Sequence, residues 1–332
     1  MSMHKRLGLI CFEIKLRRFI LQLIMQPLFP NFKKLTLEDK EDYNRLVSRY
    51  TPFSDISFTT LHIWWDLDQK LYFSILNDNL VLNYSQPFYL ANAGWSLIGD
   101  NQVDDSLRVL FDYLGQHQRK QRLVHVPEFV VEKIGDKSHL EITEEADMHE
   151  YIVDASALAN LEGSDLSRIR RKVGRFLRET EDDALELRPL ELDSPANEQL
   201  ILESVAGWEV KYPKANDLER TENDAIKACL KHHQVLDTQN LCLFINGKLH
   251  GIVLFHKSHD DQYCIINHLK VDYTTPFIFD YLTNQVAIRA VKDGVPHLNM
   301  EMDLGIEGLR QHKQGLRPVA MLKKYALNFR QS

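Results

Sequence analysis

Hydrophobic and polar positions alternate along this chain with two different periods, which indicates a protein that mixes helices with strands. A period near 3.6 residues predicts helices at 104–117 and 164–180. A period of two, or a short apolar run, predicts strands, and Asn246-Gly247 predicts the turn of a hairpin over 240–257. The pattern therefore predicts an α/β protein with mixed sheets.

The predicted elements occur twice in the same order. Each half of the chain reads as a strand, two helices, a three-stranded antiparallel meander, a helix, a strand, a helix and a strand. A length of 332 residues also suits two domains, and the halves share an element order without visible sequence identity. The predicted divisions are an N-terminal extension at 1–30, a first domain at 31–160, a connecting basic helix at 161–183 and a second domain at 184–332.

The N-terminal extension contains an apolar stretch at 7–25 that is a poor membrane span. Four charged residues interrupt it, namely Glu13, Lys15, Arg17 and Arg18. Each charge is costly inside a bilayer, so we expect no transmembrane segment. No small-residue cleavage site follows, which argues against a signal peptide. We expect Met25 to be the true start and residues 1–24 to be dispensable.

Composition and charge exclude several classes of protein. The charged fraction is 26% and the hydrophobic fraction 44%, which is typical of a globular protein. A net charge of −7 gives no overall attraction to nucleic acid, although local basic patches remain compatible with it. The four cysteines form no CxxC pair and no zinc-like Cys/His cluster. We therefore expect a cytoplasmic protein without disulfides and without a metal site.

Three segments, 32–65, 150–179 and 298–325, resemble the soluble domain of bacterial phosphatidylglycerol lysyltransferases and their stand-alone relatives. The resemblance implies two tandem GNAT-like acyltransferase domains and an acyl or aminoacyl transfer reaction. In the membrane-bound relatives, the donor is aminoacyl-tRNA and the acceptor is a lipid headgroup. For this chain it implies tRNA as a partner and a small-molecule or lipid-headgroup acceptor. The resemblance leaves the oligomeric state open.

The cofactor expected of ordinary GNAT acetyltransferases fits this chain poorly. Such enzymes hold the coenzyme A pyrophosphate on free backbone N–H groups of a Gly-rich loop at a helix N-terminus. The corresponding junction at 270–279 has no glycine, and Pro276 removes one donor. Aminoacyl-tRNA is therefore favoured over acyl-CoA as donor. Two alternatives stay open, an acyl-CoA-dependent N-acyltransferase and a non-catalytic ligand-binding module on the same fold.

Polar residues alternate on a segment where a central strand should be apolar. In HLNMEMD at 297–303, Asn299, Glu301 and Asp303 are predicted to share one face, which indicates a cleft. Glu301 is the candidate base, or the group that fixes a donor ammonium, with Asn299 and Asp303 beside it. A solvated strand edge is the alternative for Glu301. The alternative for Asp303 is the N-cap of a helix that begins there.

Basic residues follow the same segment and line a second helix. Cations there would hold the phosphates of a donor. For the segment after 303, a solvated basic face is the alternative. For the helix at 164–180, the alternative is a helix that bridges the two domains and pairs with Glu181, Asp182 and Asp183. We place the functional surface in the C-terminal half, facing a cleft between the domains. The family resemblance extends the donor-binding set to Lys270, whose neighbours Asn267, His268 and Leu269 depart from the family pattern. The candidate donor-binding residues are Arg310, Lys313, Arg317, Lys270, Arg171 and Arg175, with Lys323 and Lys324 adding to the basic segment.

Overall fold

The computed structural model describes residues 27–51, 53–65, 71–84, 94–211 and 218–330. The expectations about residues 1–24 and about the start at Met25 lie outside these ranges. The described strands, in chain order, are β1 (Lys33–Lys34), β2 (Leu71–Leu76), β3 (Asn79–Tyr84), β4 (Gly94–Ile98), β5 (Arg122–Pro127), β6 (Leu140–Glu144), β7 (Glu150–Asp154), β8 (Leu185–Arg188), β9 (Gln239–Ile245), β10 (Lys248–Lys257), β11 (Tyr263–Val271), β12 (His297–Asn299), β13 (Ala320–Leu322) and β14 (Lys324–Phe329).

Helices alternate with these strands, as the two periods predict. The described α-helices are α1 (Lys40–Val47), α2 (Phe58–Trp65), α3 (Val103–Gln116), α4 (Glu128–Glu132), α5 (Ala155–Asn160), α6 (Ser167–Glu179), α7 (Pro195–Lys211), α8 (Leu218–Lys231), α9 (Ile278–Lys292) and α10 (Glu307–Gly315). Short 3-10 turns occur at Leu37–Asp39, Ser54–Ile56 and Ala146–Met148. The strongly amphipathic basic helix α6 buries Ile169, Val173 and Phe176, as its apolar stripe predicts.

The strands form two seven-stranded sheets of the same topology. Their orders are β1-β2-β3-β4-β5-β14-β6 and, read from the other edge, β8-β9-β10-β11-β12-β7-β13. Each contains an antiparallel meander, β2-β3-β4 or β9-β10-β11. Each meander is followed by one parallel neighbour, β5 beside β4 or β12 beside β11. The repeat confirms an α/β protein with two GNAT-like halves.

The sixth position of each sheet is filled by a strand from the other half of the chain. β7 follows β6 in sequence but pairs antiparallel with β12 and β13 of the second sheet. β14 follows β13 but pairs antiparallel with β5 and β6 of the first sheet. The predicted boundaries do not represent this exchange, because β7 falls within 31–160 and β14 within 184–332.

A buried ion pair lies where the two exchanged strands begin. Glu150 is the first residue of β7 and Lys324 the first residue of β14, and neither has measurable exposure. Lys324 Nζ lies 2.6 Å from Glu150 Oε1 and also contacts Asp55. Glu150 accepts hydrogen bonds from the Ser54 backbone N–H, at 2.8 Å to Oε2, and from Ser54 Oγ at 2.9 Å. The network therefore ties both strand entries to the turn before α2.

Lys324 corrects one expectation from the sequence. The sequence predicts that Lys324 adds, with Lys323, to a basic segment that holds donor phosphates or is solvated, but its ammonium is fully enclosed. Burial opposes the charged form, yet the carboxylates of Asp55 and Glu150 outweigh that effect and raise the pKa of Lys324. The alternation along β14 agrees with this burial, because Lys324 lies two positions before the buried Ala326 and therefore on the same face of the strand.

An apolar core continues from the first half into the second. Leu61 of α2 packs in the same buried cluster as Ile201 of α7 and Ile226 of α8. Burying each such side chain contributes about 1.5–3 kcal/mol. The helices before the first meander are therefore held against the helices before the second.

Three of the four cysteines lie within the described residues. Cys229, Cys242 and Cys264 are buried free thiols, and burial raises the pKa of each to about 12. Cys11 lies outside the described ranges. Among the described helices, none has the length and apolar content needed to cross a bilayer.

The buried ion pair generates a stability prediction. Replacing Lys324 with Met leaves two buried carboxylates without their cation, so we expect a loss of about 3–5 kcal/mol in the free energy of unfolding. The neighbouring Lys323→Met is the matched control, because Lys323 is half exposed and pairs with Glu128 at the surface. Urea denaturation followed by circular dichroism measures both variants. Equal, small effects would show that the network does not stabilise the strand exchange.

Candidate functional site

The parallel strands β11 and β12 pair over only three residues, from Tyr263↔His297 to Ile265↔Asn299. β12 ends at Asn299, whereas β11 continues to Val271. The predicted strand over 297–303 is therefore too long. Glu301 ends it, because its φ of +55° lies in the left-handed region, which costs a non-glycine residue about 1–2 kcal/mol. This turn places Glu301 beside the part of β11 that β12 leaves uncovered.

Glu301 is held by two amides at this opening. Its Oε1 accepts a hydrogen bond from Asn267 Nδ2 at 3.1 Å, and its backbone N–H donates to Asn299 Oδ1 at 2.8 Å. Enclosure of the carboxyl by protein raises the pKa of Glu301 to about 8, and the nearby charge of Glu150 adds to the shift, whereas Lys313 opposes it. Glu301 therefore titrates near neutral pH.

Lys313 is the basic partner of this carboxyl. It projects from α10, is buried, and donates a hydrogen bond from Nζ to the carbonyl oxygen of Met302. Burial lowers the pKa of Lys313 to about 8, although Glu301 and Asp303 attract its charge. The opening thus holds one carboxyl and one amine that both change charge in the range where acid–base catalysis operates.

Asn267 connects this opening to a chain of hydrogen bonds. A bulge in the pairing of β10 with β11 leaves Asn267 without a partner residue, since Leu254 pairs with His268 and Phe255 with Ile266. Asn267 also donates to Thr60 Oγ1 at 3.1 Å, and its Oδ1 lies 2.8 Å from His256 Nδ1. Sequence analysis did not predict Asn267 as a site residue and noted it only as a departure from the family pattern beside Lys270.

Asn299 faces the buried ion pair rather than an open cleft. Its Nδ2 donates to Glu150 Oε2 at 2.6 Å, and its side chain is fully buried. Since its Oδ1 accepts from the Glu301 backbone N–H, Asn299 fixes the position of Glu301 relative to the strand entries. The structure thus gives Asn299 a positioning contact.

Asp303 is saturated with donors. Its carboxylate accepts from Arg310 Nε at 3.0 Å and Nη2 at 2.9 Å, from the Tyr151 hydroxyl at 2.6 Å and from the Gly305 N–H at 2.8 Å. Burial opposes its ionisation, but the bonds from Arg310, Tyr151 and Gly305 hold the pKa of Asp303 below its usual value. The helix expected to begin at Asp303 begins at Glu307, with Ile306 as its N-cap, because Asp303 instead closes the preceding loop.

The other candidate donor-binding residues lie in three places: at α10, on β11 and on α6. At α10, Arg310 pairs with Asp303 and, at 2.5 Å, with Asp147. Arg317, just after α10, is exposed, and its Nε donates to the Asp165 carbonyl oxygen at 3.3 Å. Lys270, on the same strand as Asn267, is buried and pairs with Glu222 at 2.5 Å and with Glu209 at 3.4 Å.

Arg171 and Arg175 form the third group, and both are exposed on α6. Arg175 pairs with Glu179 at 2.6 Å and its guanidinium lies 5.0 Å from the centre of the Phe277 ring. The structure therefore gathers Glu301, Asn299, Asp303, Lys313 and Arg310 around one loop. Arg171 and Arg175 contribute to a separate basic surface.

A cavity of about 410 Å³ lies between the two halves of the chain. Its walls come from α1, the turn before α2 and the start of α2 on one side, and from β10 and the loop after it on the other. Ser57 and His256 line it, and Ser57 Oγ lies 2.7 Å from His256 Nε2. Sequence reasoning missed both residues, since they are 199 positions apart and carry no local pattern.

Among described residues, no group of three His, Cys, Asp or Glu side chains is arranged to hold a metal ion. At the junction after β11, a carboxylate occupies one of the backbone donors. Asp272 Oδ1 accepts from the Thr274 N–H at 3.0 Å and from Thr274 Oγ1 at 2.7 Å. In the first turn of α9, the buried Asp280 pairs with Lys172 at 2.9 Å. Carboxylates thus stand where a pyrophosphate would need cations or N–H groups.

Solved structures of three bacterial proteins share this architecture. A conserved protein of unknown function from Bacteroides thetaiotaomicron superposes with a TM-score of 0.78 and 22% identity, over 90% of this chain and 99% of the other. The C-terminal domain of a putative lysylphosphatidylglycerol synthetase from Agrobacterium fabrum gives 0.63 and 14%, over 89% and 92%. L-PGS from Bacillus licheniformis gives 0.59 and 14%, over 89% and 93%. These likenesses establish the fold.

Sequence comparison establishes the family. No curated protein matches this chain at a significant level. The model of the family described as phosphatidylglycerol lysyltransferase, C-terminal, matches residues 48–328, which is most of the chain. The resemblance read from the three sequence segments is thereby confirmed, and the chain belongs to the phosphatidylglycerol lysyltransferase C-terminal family.

Proposed function

We propose that this protein is an aminoacyltransferase that moves an aminoacyl group from aminoacyl-tRNA to a small-molecule or lipid-headgroup acceptor. Family membership and the GNAT-like fold indicate a transferase of the acyltransferase type. The observation that carries the finer proposal is the enclosed Glu301 carboxyl beside Lys313, both with pKa values shifted to about 8. Two groups poised in this way are suited to moving protons during attack on an ester.

The transfer needs one proton acceptor and one proton donor. The acceptor's amine or hydroxyl attacks the ester carbonyl carbon, and Glu301 takes the proton that the nucleophile loses. The ester C–O bond then breaks, and Lys313 gives a proton to the departing ribose hydroxyl. In an alternative role, Glu301 holds the donor's ammonium, whose positive charge would compensate the carboxylate that burial disfavours.

The exposed basic residues support tRNA as the donor carrier. Arg317 follows α10, and α6 presents five exposed arginines, Arg168, Arg170, Arg171, Arg175 and Arg178. Guanidinium groups hold phosphates with paired donors and need no base sequence for this contact. Because the whole chain has a net charge of −7, these residues concentrate positive charge on a limited part of the surface.

Glu301→Gln tests the proposed base. We expect transfer of radiolabelled amino acid from charged tRNA to a cell extract to fall by about 10²–10⁴-fold, since the amide cannot accept the proton. The rate for the native chain should rise with pH toward about 8 as Glu301 ionises, and the variant should lack this rise. A lower kcat supports the base, whereas a higher KM for the donor supports ammonium binding.

The control for Glu301→Gln is Glu307→Gln, because Glu307 is exposed at the start of α10 and bonds Gln311. It should transfer at the native rate. If Glu301→Gln is as active as the native chain, or if it unfolds, the catalytic assignment of Glu301 is wrong.

Arg317→Gln and Arg171→Gln test the contact with tRNA. Each should weaken binding of charged tRNA and reduce the slope of log affinity against log salt by about one, as expected for one lost phosphate contact. Filter binding over a range of salt concentrations measures this, with the exposed Arg119→Gln of the first half as control. Arg310→Ala should instead lower stability, because it removes the cation that compensates the charge of the buried Asp303. If the slope of log affinity against log salt is unchanged in both glutamine variants, α6 and Arg317 do not contact tRNA phosphates.

Coenzyme A tests the competing acyl-CoA reaction. We expect calorimetric titration to show weak or no binding, because Asp272 and Asp280 place carboxylates at the junction before α9 and Pro276 lacks an N–H group. Anions are repelled by such a site rather than attracted to the helix N-terminus. Low-micromolar affinity for coenzyme A would favour the acyl-CoA-dependent alternative.

A further inference from the structure

Three polar side chains form a linear chain at the wall of the 410 Å³ cavity. Ser57 Oγ lies 2.7 Å from His256 Nε2, and His256 Nδ1 lies 2.8 Å from Asn267 Oδ1. Ser57 comes from the first half, whereas His256 and Asn267 come from neighbouring strands of the second sheet. The proposed transfer reaction uses neither Ser57 nor His256.

The hydrogen bonds of Asn267 define where the imidazole proton lies. Its Nδ2 donates to Thr60 and to Glu301, so its Oδ1 faces His256 as an acceptor. His256 Nδ1 therefore carries the proton and Nε2 accepts from the Ser57 hydroxyl. Burial lowers the pKa of His256 to about 4, which keeps the ring neutral at pH 7 and its Nε2 available as the hydrogen-bond acceptor of the Ser57 hydroxyl.

The cavity also offers donors for a developing oxyanion. Ser57 directly precedes α2, and Phe58 and Thr59 of its first turn line the cavity. The first N–H groups of a helix lack partners within the helix and stand at the positive end of its dipole. The hydroxyl of Ser57, which in many helices would cap these groups, points instead to His256.

We propose that Ser57 is a nucleophile, activated by His256 and oriented through Asn267, that takes an acyl group from a small ester or thioester bound in this cavity. Ser57 Oγ attacks the carbonyl carbon while its proton passes to His256 Nε2. The bond to the leaving alcohol or thiol breaks, and the leaving group takes that proton. Water, deprotonated by His256, then attacks acyl-Ser57, releasing the carboxylic acid and restoring the serine hydroxyl.

The cavity walls indicate the class of substrate. The lining includes the apolar side chains of Phe53, Ile56 and Ile265 and the charged side chains of Lys40, Asp237 and Lys257. A volume of this size suits a small molecule with a short acyl chain and a polar leaving group. The inference does not rest on the proposed aminoacyl transfer, because it requires neither tRNA nor a charged Glu301.

Acylation of Ser57 is directly measurable. The folded full-length chain is exposed to a fluorophosphonate probe and to p-nitrophenyl acetate, and adducts are located by peptide mass spectrometry. We expect one major adduct, on Ser57, with both reagents. His256→Gln should slow its formation by about 10²–10⁴-fold, the usual contribution of a general base.

Matched variants keep the test independent of folding and of the other site. Ser57→Asn retains a good helix N-cap but removes the nucleophile, so the adduct should disappear while the thermal transition stays. Ser258→Ala should label as the native chain does, because Ser258 lines the same cavity but its hydroxyl bonds Asp260. Both reagents are applied without tRNA, so the readout does not depend on aminoacyl transfer. Undiminished labelling of Ser57→Asn, or a native chain that neither reagent acylates at Ser57, would overturn the proposal.

Discussion

The ion pair between Glu150 and Lys324 is the interaction on which the rest of this structure depends. Both residues are fully buried, and each opens a strand that leaves its own half of the chain for the opposite sheet. An isolated buried charge costs several kcal/mol, so neither side chain is tolerated without the other. The two strand exchanges are therefore coupled, because β7 cannot enter the second sheet at low free energy unless β14 enters the first.

The same network positions the candidate site. Asn299 donates to Glu150 and accepts from the backbone N–H of Glu301. One side-chain amide therefore fixes the position of Glu301 relative to the first residues of β7 and β14. Asn267 holds the other side of Glu301 and reaches His256. Glu301 and the Ser57–His256 contact thus share a rigid polar framework that spans both halves. Such a framework keeps reacting groups in place without reorganisation during a reaction.

Much of the fold was predictable because its determinants are local. The turn at Asn246-Gly247 joins β9 to β10 as the sequence predicts, and the helix expected at 104–117 occupies Val103–Gln116. The repeated order of elements also predicted the two matching sheets. Of the candidate site, Glu301 was predicted from polar residues on an otherwise apolar segment, and Lys313 was predicted from the basic segment that follows, as a donor-binding residue. The end of β12 at Asn299 was missed, since the left-handed turn at Glu301 is imposed by contacts with distant residues.

The sequence by itself determined the periods of helix and strand, the two GNAT-like halves and the family, because these follow from neighbouring residues and short segments. Only the tertiary structure decided which sheet receives β7 and β14, since strand partners are chosen by register and packing far along the chain. It also decided the state of the charged side chains. Lys324 and Asp55 are 269 positions apart, so no local sequence pattern identifies Asp55 as the partner of Lys324. Charge and pKa depend on burial and on such partners, and both exist only once the chain has folded.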